Sequence, residues 1–119
     1  MNATQSDSIT NLAAALVAFQ AEKKVIKKDA MNPFYKSHYS TLDSIWEVIR
    51  PILEKHQLAV VQLPAGNGFL ETTILHSSGE YITATAHLAM KDVTPQGQGG
   101  AVSYLRRYAL CAALGLTSE

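Results

Sequence analysis

The chain has 119 residues, of which 47% are hydrophobic and 17% charged, which excludes a disordered composition and fits one domain with a modest core. Ten basic residues balance ten acidic ones, so any electrostatic signal has to come from where the charges sit. No apolar run approaches the roughly 18 residues of a membrane span, the polar start MNATQSDSIT is no secretion signal, and the lone Cys111 lies in an apolar run, as a small buried hydrophobe in a reducing compartment would; a soluble cytoplasmic protein is expected.

Residues 8–28, SITNLAAALVAFQAEKKVIKK, read as a first helix. Ile9, Leu12, Leu16 and Phe19 recur at helical spacing, Ser8 or Asp7 is available as a cap, and Lys23, Lys24, Lys27 and Lys28 gather where cations suit the helix dipole. The segment DAMNPFYKSHYST follows, with a turn signal at Asn32-Pro33. It is rich in Phe34, Tyr35, His38 and Tyr39, with Lys36 among them, which is unusual for a plain connector. STLDSIWEVIRPILEKH, residues 40–56, reads as a second helix with a capping-box-like start at Ser40 and Asp43. Leu42, Ile45, Trp46, Ile49, Ile52 and Leu53 form its apolar stripe, and Pro51 is expected to kink or restart it.

The period then changes to that of strands. LAVVQL (58–63), FLETTILH (69–76) and EYITATAHLAM (80–90) alternate or run apolar, separated by the turns PAGNG (64–68) and Ser77-Ser78-Gly79. In the last strand Ile82, Ala84, Ala86, Leu88 and Met90 face one way and Tyr81, Thr83, Thr85 and His87 the other. KDVTPQGQGG (91–100) reads as a loop before a final helix. The order defines an α+β fold: two N-terminal helices, a three-stranded antiparallel meander and a C-terminal helix packed on the sheet. Residues 1–119 are taken as one domain, with the first helix within 1–30 and a β-β-β-α core over 58–116.

The final helix carries Arg106 and Arg107 side by side in an apolar setting. By the 100° step Val102, Leu105, Ala109, Ala112 and Ala113 share one face, with Leu110 and Leu114 on another, so the helix is expected to be wrapped on several sides, by its sheet and by a neighbouring subunit. Arg107 falls near Ser103 and Leu114, on what reads as the narrow polar side, and Arg106 nearer the apolar edge. Buried arginines need partners, and two readings are open: a carboxylate such as Asp43, Glu47 or Glu71, or an external anion, phosphate above all. Gln96-Gly97-Gln98-Gly99-Gly100, leading into the helix N-terminus, favours the anion, because free N–H groups attract phosphate and glycine permits close approach. The segment is neither a Walker loop nor a dinucleotide fingerprint. Tyr35, Lys36, His38 and Tyr39 add the stacking faces and cations that single strands use.

Little points to catalysis. In a two-residue hairpin His87 would pair near Leu70, leaving it roughly 20 Å along the ribbon from His76. His38 and His56 bracket a helix of about 25 Å. There is no HxxxH or CxxC spacing and no nucleophile elbow, so neither metal nor cofactor is expected and the protein reads as a non-enzyme.

Taken in order, YKSHYSTLDSIWEVIRPILEKHQLAVVQ, TTILHSSGEYITA and QGQGGAVSYLRRYALCAALGL closely resemble the Erf (essential recombination function) family of phage single-strand annealing proteins, over about residues 32–116. The resemblance implies a β-β-β-α annealing core, ATP-independent annealing of complementary single strands, assembly into rings or helical filaments, and work beside a phage exonuclease and a host single-strand-binding protein in the bacterial cytoplasm. It implies phosphate contact by Arg106 and Arg107, and it matches Tyr35, Lys36 and Tyr39 to the family's Tyr-Lys-x-x-Tyr block. The expected DNA-binding set is Arg106, Arg107, Lys36, Tyr35, Tyr39, His38, Gln98, Gly99 and Ser103. Family members usually continue into a variable tail, so the end at Glu119 reads as a core or a short member. The competing expectation is an oligomeric scaffold or protein-interaction domain whose arginines pair internally.

Overall fold

A computed structural model describes residues 3–31, 36–87 and 94–117. In chain order the elements are β1 (Ala3–Gln5), α1 (Thr10–Ala21), β2 (Ala30–Met31), β3 (His38–Tyr39), α2 (Leu42–Lys55), β4 (Leu58–Gly66), β5 (Phe69–His76), β6 (Tyr81–His87) and α3 (Pro95–Leu114). The predicted α+β class holds. The expected three-strand meander is β4, β5 and β6, but it belongs to a four-stranded antiparallel sheet of order β1-β6-β5-β4. The added strand is the polar N-terminus, where Ala3, Thr4 and Gln5 pair with Ala84, Thr83 and Ile82. It lacks the alternation that marks a strand, so sequence pattern missed it. A separate two-stranded ribbon pairs β2 with β3, Ala30 opposite Tyr39 and Met31 opposite His38.

The first helix is shorter than its apolar period suggested. It ends at Ala21, and Glu22 is already extended, with φ −78° and ψ 131°. Lys24 folds back so that its ammonium donates to the Phe19 and Glu22 carbonyls and lies 4.0 Å from the Phe19 ring centroid. Lys24 therefore closes the helix from outside instead of extending it, at the dipole end that favours cations.

At the other end neither Ser8 nor Asp7 is the cap. Ile9 holds that position without a side-chain bond, and the Leu12 N–H instead donates to the Glu80 carboxylate at 2.8 Å. Glu80 reaches it from the turn after β5, where the His76 N–H bonds to the Glu80 carbonyl at 2.9 Å and Gly79 takes φ +92°. The His-Ser-Ser-Gly-Glu stretch thus works as a clamp between sheet and helix. Its connection is one residue longer than a two-residue turn, so His87 pairs with Phe69, not Leu70, and stands further still from His76.

Thr41, not Ser40, caps α2: its hydroxyl accepts from the Ser44 N–H at 3.1 Å, while Ser40 is fully buried. Pro51 does not restart the helix, which runs unbroken to Lys55. The carbonyl that Pro51 leaves without its N–H partner belongs to Glu47, and both residues are exposed, so water can serve it. Beyond the strand expected to end at Leu63, β4 continues to Gly66, and Asn67 (φ +51°) and Gly68 (φ +81°) form a two-residue hairpin turn with both φ values positive. Leu88 and Met90, expected in the last strand, lie outside the described residues.

The segment read as a loop before the last helix is helix from Pro95 onward. Thr94 is the cap, accepting from the Gly97 N–H at 3.1 Å, and Pro95 takes the first-turn position where its missing N–H costs nothing. The glycines hid this, since each disfavours a helix by about 1 kcal/mol. At the far end Gly115 (φ +71°) takes the left-handed cap conformation.

The core lies between the three helices and one face of the sheet. Leu12, Ala15 and Phe19 of α1 meet Ile45, Ile49 and Leu53 of α2 and Leu110, Cys111 and Leu114 of α3, over Leu58 and Ile74. The predicted stripe of α2 is this buried face, and Cys111 is a core residue as expected.

Three carboxylates tie the elements together. His56, then Lys55, holds Glu22 below the usual carboxylate range, joining the ends of α1 and α2. The Ser44 hydroxyl does the same for Asp29, joining the approach to β2 to the start of α2. For Glu80 desolvation acts upward, but hydrogen bonds from the Leu12 N–H, Ser8 and Ser78 prevail and its pKa is lowered. A carboxylate depressed on folding stabilises the fold above its unfolded pKa and loses that contribution as pH falls through the folded value. Melting temperature is therefore expected to be flat above about pH 5 and to drop steadily below about pH 4. A Glu80→Gln variant, melted across the same pH series, should start lower at neutral pH and show a shallower acid decline.

Candidate nucleic-acid interface

Helix α3 positions most of the predicted residues. At 100° per residue, Gly99, Gly100, Ser103, Arg106 and Arg107 share one side, the side that two turns later carries Leu110 and Leu114 into the core. Arg107 is therefore not on a separate polar side: its stripe is the core stripe, continued past the point where the core ends. Leu105, on a different side, is also buried, at 5% exposure. The helix packs against α2 and against β4, β5 and β6, so its enclosure on two sides is met within the chain.

The register of α3 on the sheet is pinned beside the arginines. Gln62 of β4 donates from Nε2 to the Arg106 carbonyl at 3.1 Å and to the Thr72 hydroxyl at 3.2 Å. The Arg106 side chain is half-buried, and among the described residues no carboxylate pairs with it, Asp43, Glu47 and Glu71 included. Helix α3 contains Arg106 and Arg107 and no acidic residue, so its positive charge is not offset from within.

Arg107 has aromatic neighbours. Its guanidinium carbon lies 4.3 Å from the Tyr39 ring centroid and 5.9 Å from that of Tyr104. This contact brings the β2–β3 ribbon onto α3, and it unites two regions that are far apart in sequence, the aromatic segment and the arginine helix. Lys36 and His38 are exposed on the ribbon side, Lys36 with φ +53°. Ser103 and Gly99 are exposed on α3. Tyr35 lies outside the described residues, as does the Gln98 side chain.

The glycines do not form a phosphate-cradling loop. Gly99 and Gly100 sit in the second turn of α3, where backbone N–H groups are directed at carbonyls four residues back. What they offer is a bare strip: a Cβ at either position meets nothing within 4 Å. A Gly99→Ala/Gly100→Ala protein is accordingly expected to be more stable, by about 0.8–1 kcal/mol per site, with a higher melting temperature as the check. A lower one would mean that the strip is not open.

Sequence reasoning missed Tyr104, Tyr108 and Gln62. Tyr104 and Tyr108 are exposed at 50% and 58%, with ring centroids 6.3 Å apart and planes only 14° from parallel. Their signal was present in SYLRRYAL as a four-residue spacing around the arginine pair. No group of three or more potential metal ligands occurs among the described residues, and no described helix is long and apolar enough to cross a membrane.

Fold and surface define an α+β protein whose long C-terminal helix lies on an antiparallel sheet and displays a cationic, aromatic-flanked strip. The family model described as the ERF superfamily matches residues 12–119, nearly the whole chain, and the chain belongs to that family. No curated protein and no solved structure matches it.

Proposed function

We propose that the protein binds single-stranded DNA and anneals complementary strands without ATP, in phage or prophage homologous recombination. Membership of the ERF family supports the recombination context. The observation that carries the binding surface is Arg106, half-buried and without a carboxylate partner among the described residues, next to the bare strip of Gly99 and Gly100. Phosphates would run along this strip, with Arg106, Lys36 and Ser103 as hydrogen-bond donors and Arg107 as a nearby charge already stacked on Tyr39. Bases left free to pair would supply the driving force, so nucleotide hydrolysis is unnecessary. Several subunits in a ring or filament would extend the groove and multiply a modest affinity per subunit. An exonuclease that exposes single strands, and a host single-strand-binding protein, are the partners this role requires in the bacterial cytoplasm.

The scaffold reading draws on one observation, the internal stacking of Arg107 on Tyr39. The two readings part in an annealing assay. Complementary oligonucleotides carrying a fluorophore and a quencher are mixed with the protein in the absence of nucleotide. Annealing accelerated well beyond the spontaneous rate supports the proposal, whereas an unchanged rate favours the scaffold.

A further inference from the structure

The aromatic groups expected to meet bases were those of the segment before α2. One of them, Tyr39, is half-buried, and a ring face is taken up by the Arg107 guanidinium at 4.3 Å. Tyr104 and Tyr108 differ. Both are well exposed, at 50% and 58%, although large aromatic side chains gain most from burial. Four-residue spacing puts the rings one turn apart on the same side of α3, and their planes lie within 14° of parallel. Arg107 continues the row at its inner end, between Tyr39 and Tyr104.

A pair of exposed, similarly oriented rings with Arg107 beside Tyr104, on a helix without acidic residues, matches the chemistry of a nucleobase platform. Base stacking uses flat π-faces, tolerates any base and draws further stabilisation from neighbouring guanidinium groups. A protein partner of apolar character would leave the adjacent charges to be desolvated, whereas a nucleic-acid strand brings its own phosphates to them.

We propose that Tyr104 and Tyr108 form a stacking platform for bases of the bound strand, set beside Arg107 and Gly100, with Arg106 further round the helix. The inference rests on the single-stranded DNA reading and adds to it a contact that phosphate chemistry does not supply. Binding then has two separable parts: a salt-sensitive one from the cations and a base-dependent one from the tyrosines. The platform would hold a few bases per subunit in one orientation while leaving their pairing edges open.

The test compares two labelled oligonucleotides of equal length and charge, an oligothymidylate and a backbone in which every base is replaced by an abasic spacer. Binding is read by fluorescence anisotropy over a salt series. Wild-type protein is expected to prefer the base-bearing strand by roughly five- to hundred-fold. Tyr104→Ala/Tyr108→Ala should abolish that preference without changing the dependence of binding on salt. Tyr104→Phe/Tyr108→Phe, which keeps the rings and guards against a folding artefact, should retain it. Equal binding of the two oligonucleotides by wild type, or a preference that survives the double alanine change, overturns the platform and leaves single-strand binding intact. A double alanine variant that changes oligomeric state but keeps its base preference also overturns it, and assigns the rings to contact between copies. No binding of either oligonucleotide by wild type removes both the platform and the reading beneath it.

Discussion

Replacing both Arg106 and Arg107 by alanine is expected to leave the protein folded and to weaken single-strand binding at least ten-fold, with annealing lost in proportion. Hydrogen bonds to charged groups contribute about 1.5–3 kcal/mol each, so even one lost phosphate contact reaches that level. The salt dependence should change as well. Each phosphate contact on a single strand adds about 0.7 to the slope of log affinity against log salt. Arg106→Ala alone should therefore flatten the slope by about 0.7. Arg107→Ala removes charge and also frees the Tyr39 and Tyr104 rings that its guanidinium now contacts, so its effect should spread to the ribbon. Fold retention is expected because neither side chain belongs to the core cluster. Unaltered affinity and slope in the double variant would remove the arginines from the binding surface.

The largest effect on stability is expected at Phe19. Its side chain is fully buried among residues of all three helices, and the Lys24 ammonium lies over its ring. Truncation to alanine in such a setting costs about 3–5 kcal/mol, a large share of the roughly 5–15 kcal/mol available to a domain. Lys24, which donates to the Phe19 carbonyl, would lose the surface its chain packs on, and the closing of α1 would loosen with it. A urea titration should show a much lower midpoint with little change in slope. A loss below about 1 kcal/mol would mean that the core is not centred on α1.

Elements whose packing follows a periodic pattern were legible in the sequence. The stripe from Leu42 to Leu53 sends Ile45, Ile49 and Leu53 into the core and β5 alternates cleanly through buried Leu70, Thr72 and Ile74, whereas β6 is half-buried on both faces from Ile82 to Ala86. Elements governed by distant partners were not. β1 is a strand because β6 offers it an edge, and nothing in Ala3-Thr4-Gln5 announces that. The start of α1 receives the Glu80 carboxylate from the turn between β5 and β6, far away in sequence. The start of α3 was obscured for another reason: glycine propensity outweighed the cap signal of Thr94-Pro95. The site divides the same way. The arginine pair and the aromatic segment could each be read locally, but their meeting through Arg107 and Tyr39 depends on tertiary packing. Tyr104 and Tyr108 were passed over as helix residues because exposure cannot be judged before the helix is placed.

Phosphate is the ligand proposed for the strip that carries Arg106. Fluorescence anisotropy of labelled single-stranded and duplex oligonucleotides, titrated with this protein over a salt series, tests that proposal most directly. Tighter binding of the single strand and a steep loss of affinity with added salt are expected. Absence of single-strand binding at low salt, or equal affinity for the duplex, would contradict the proposal.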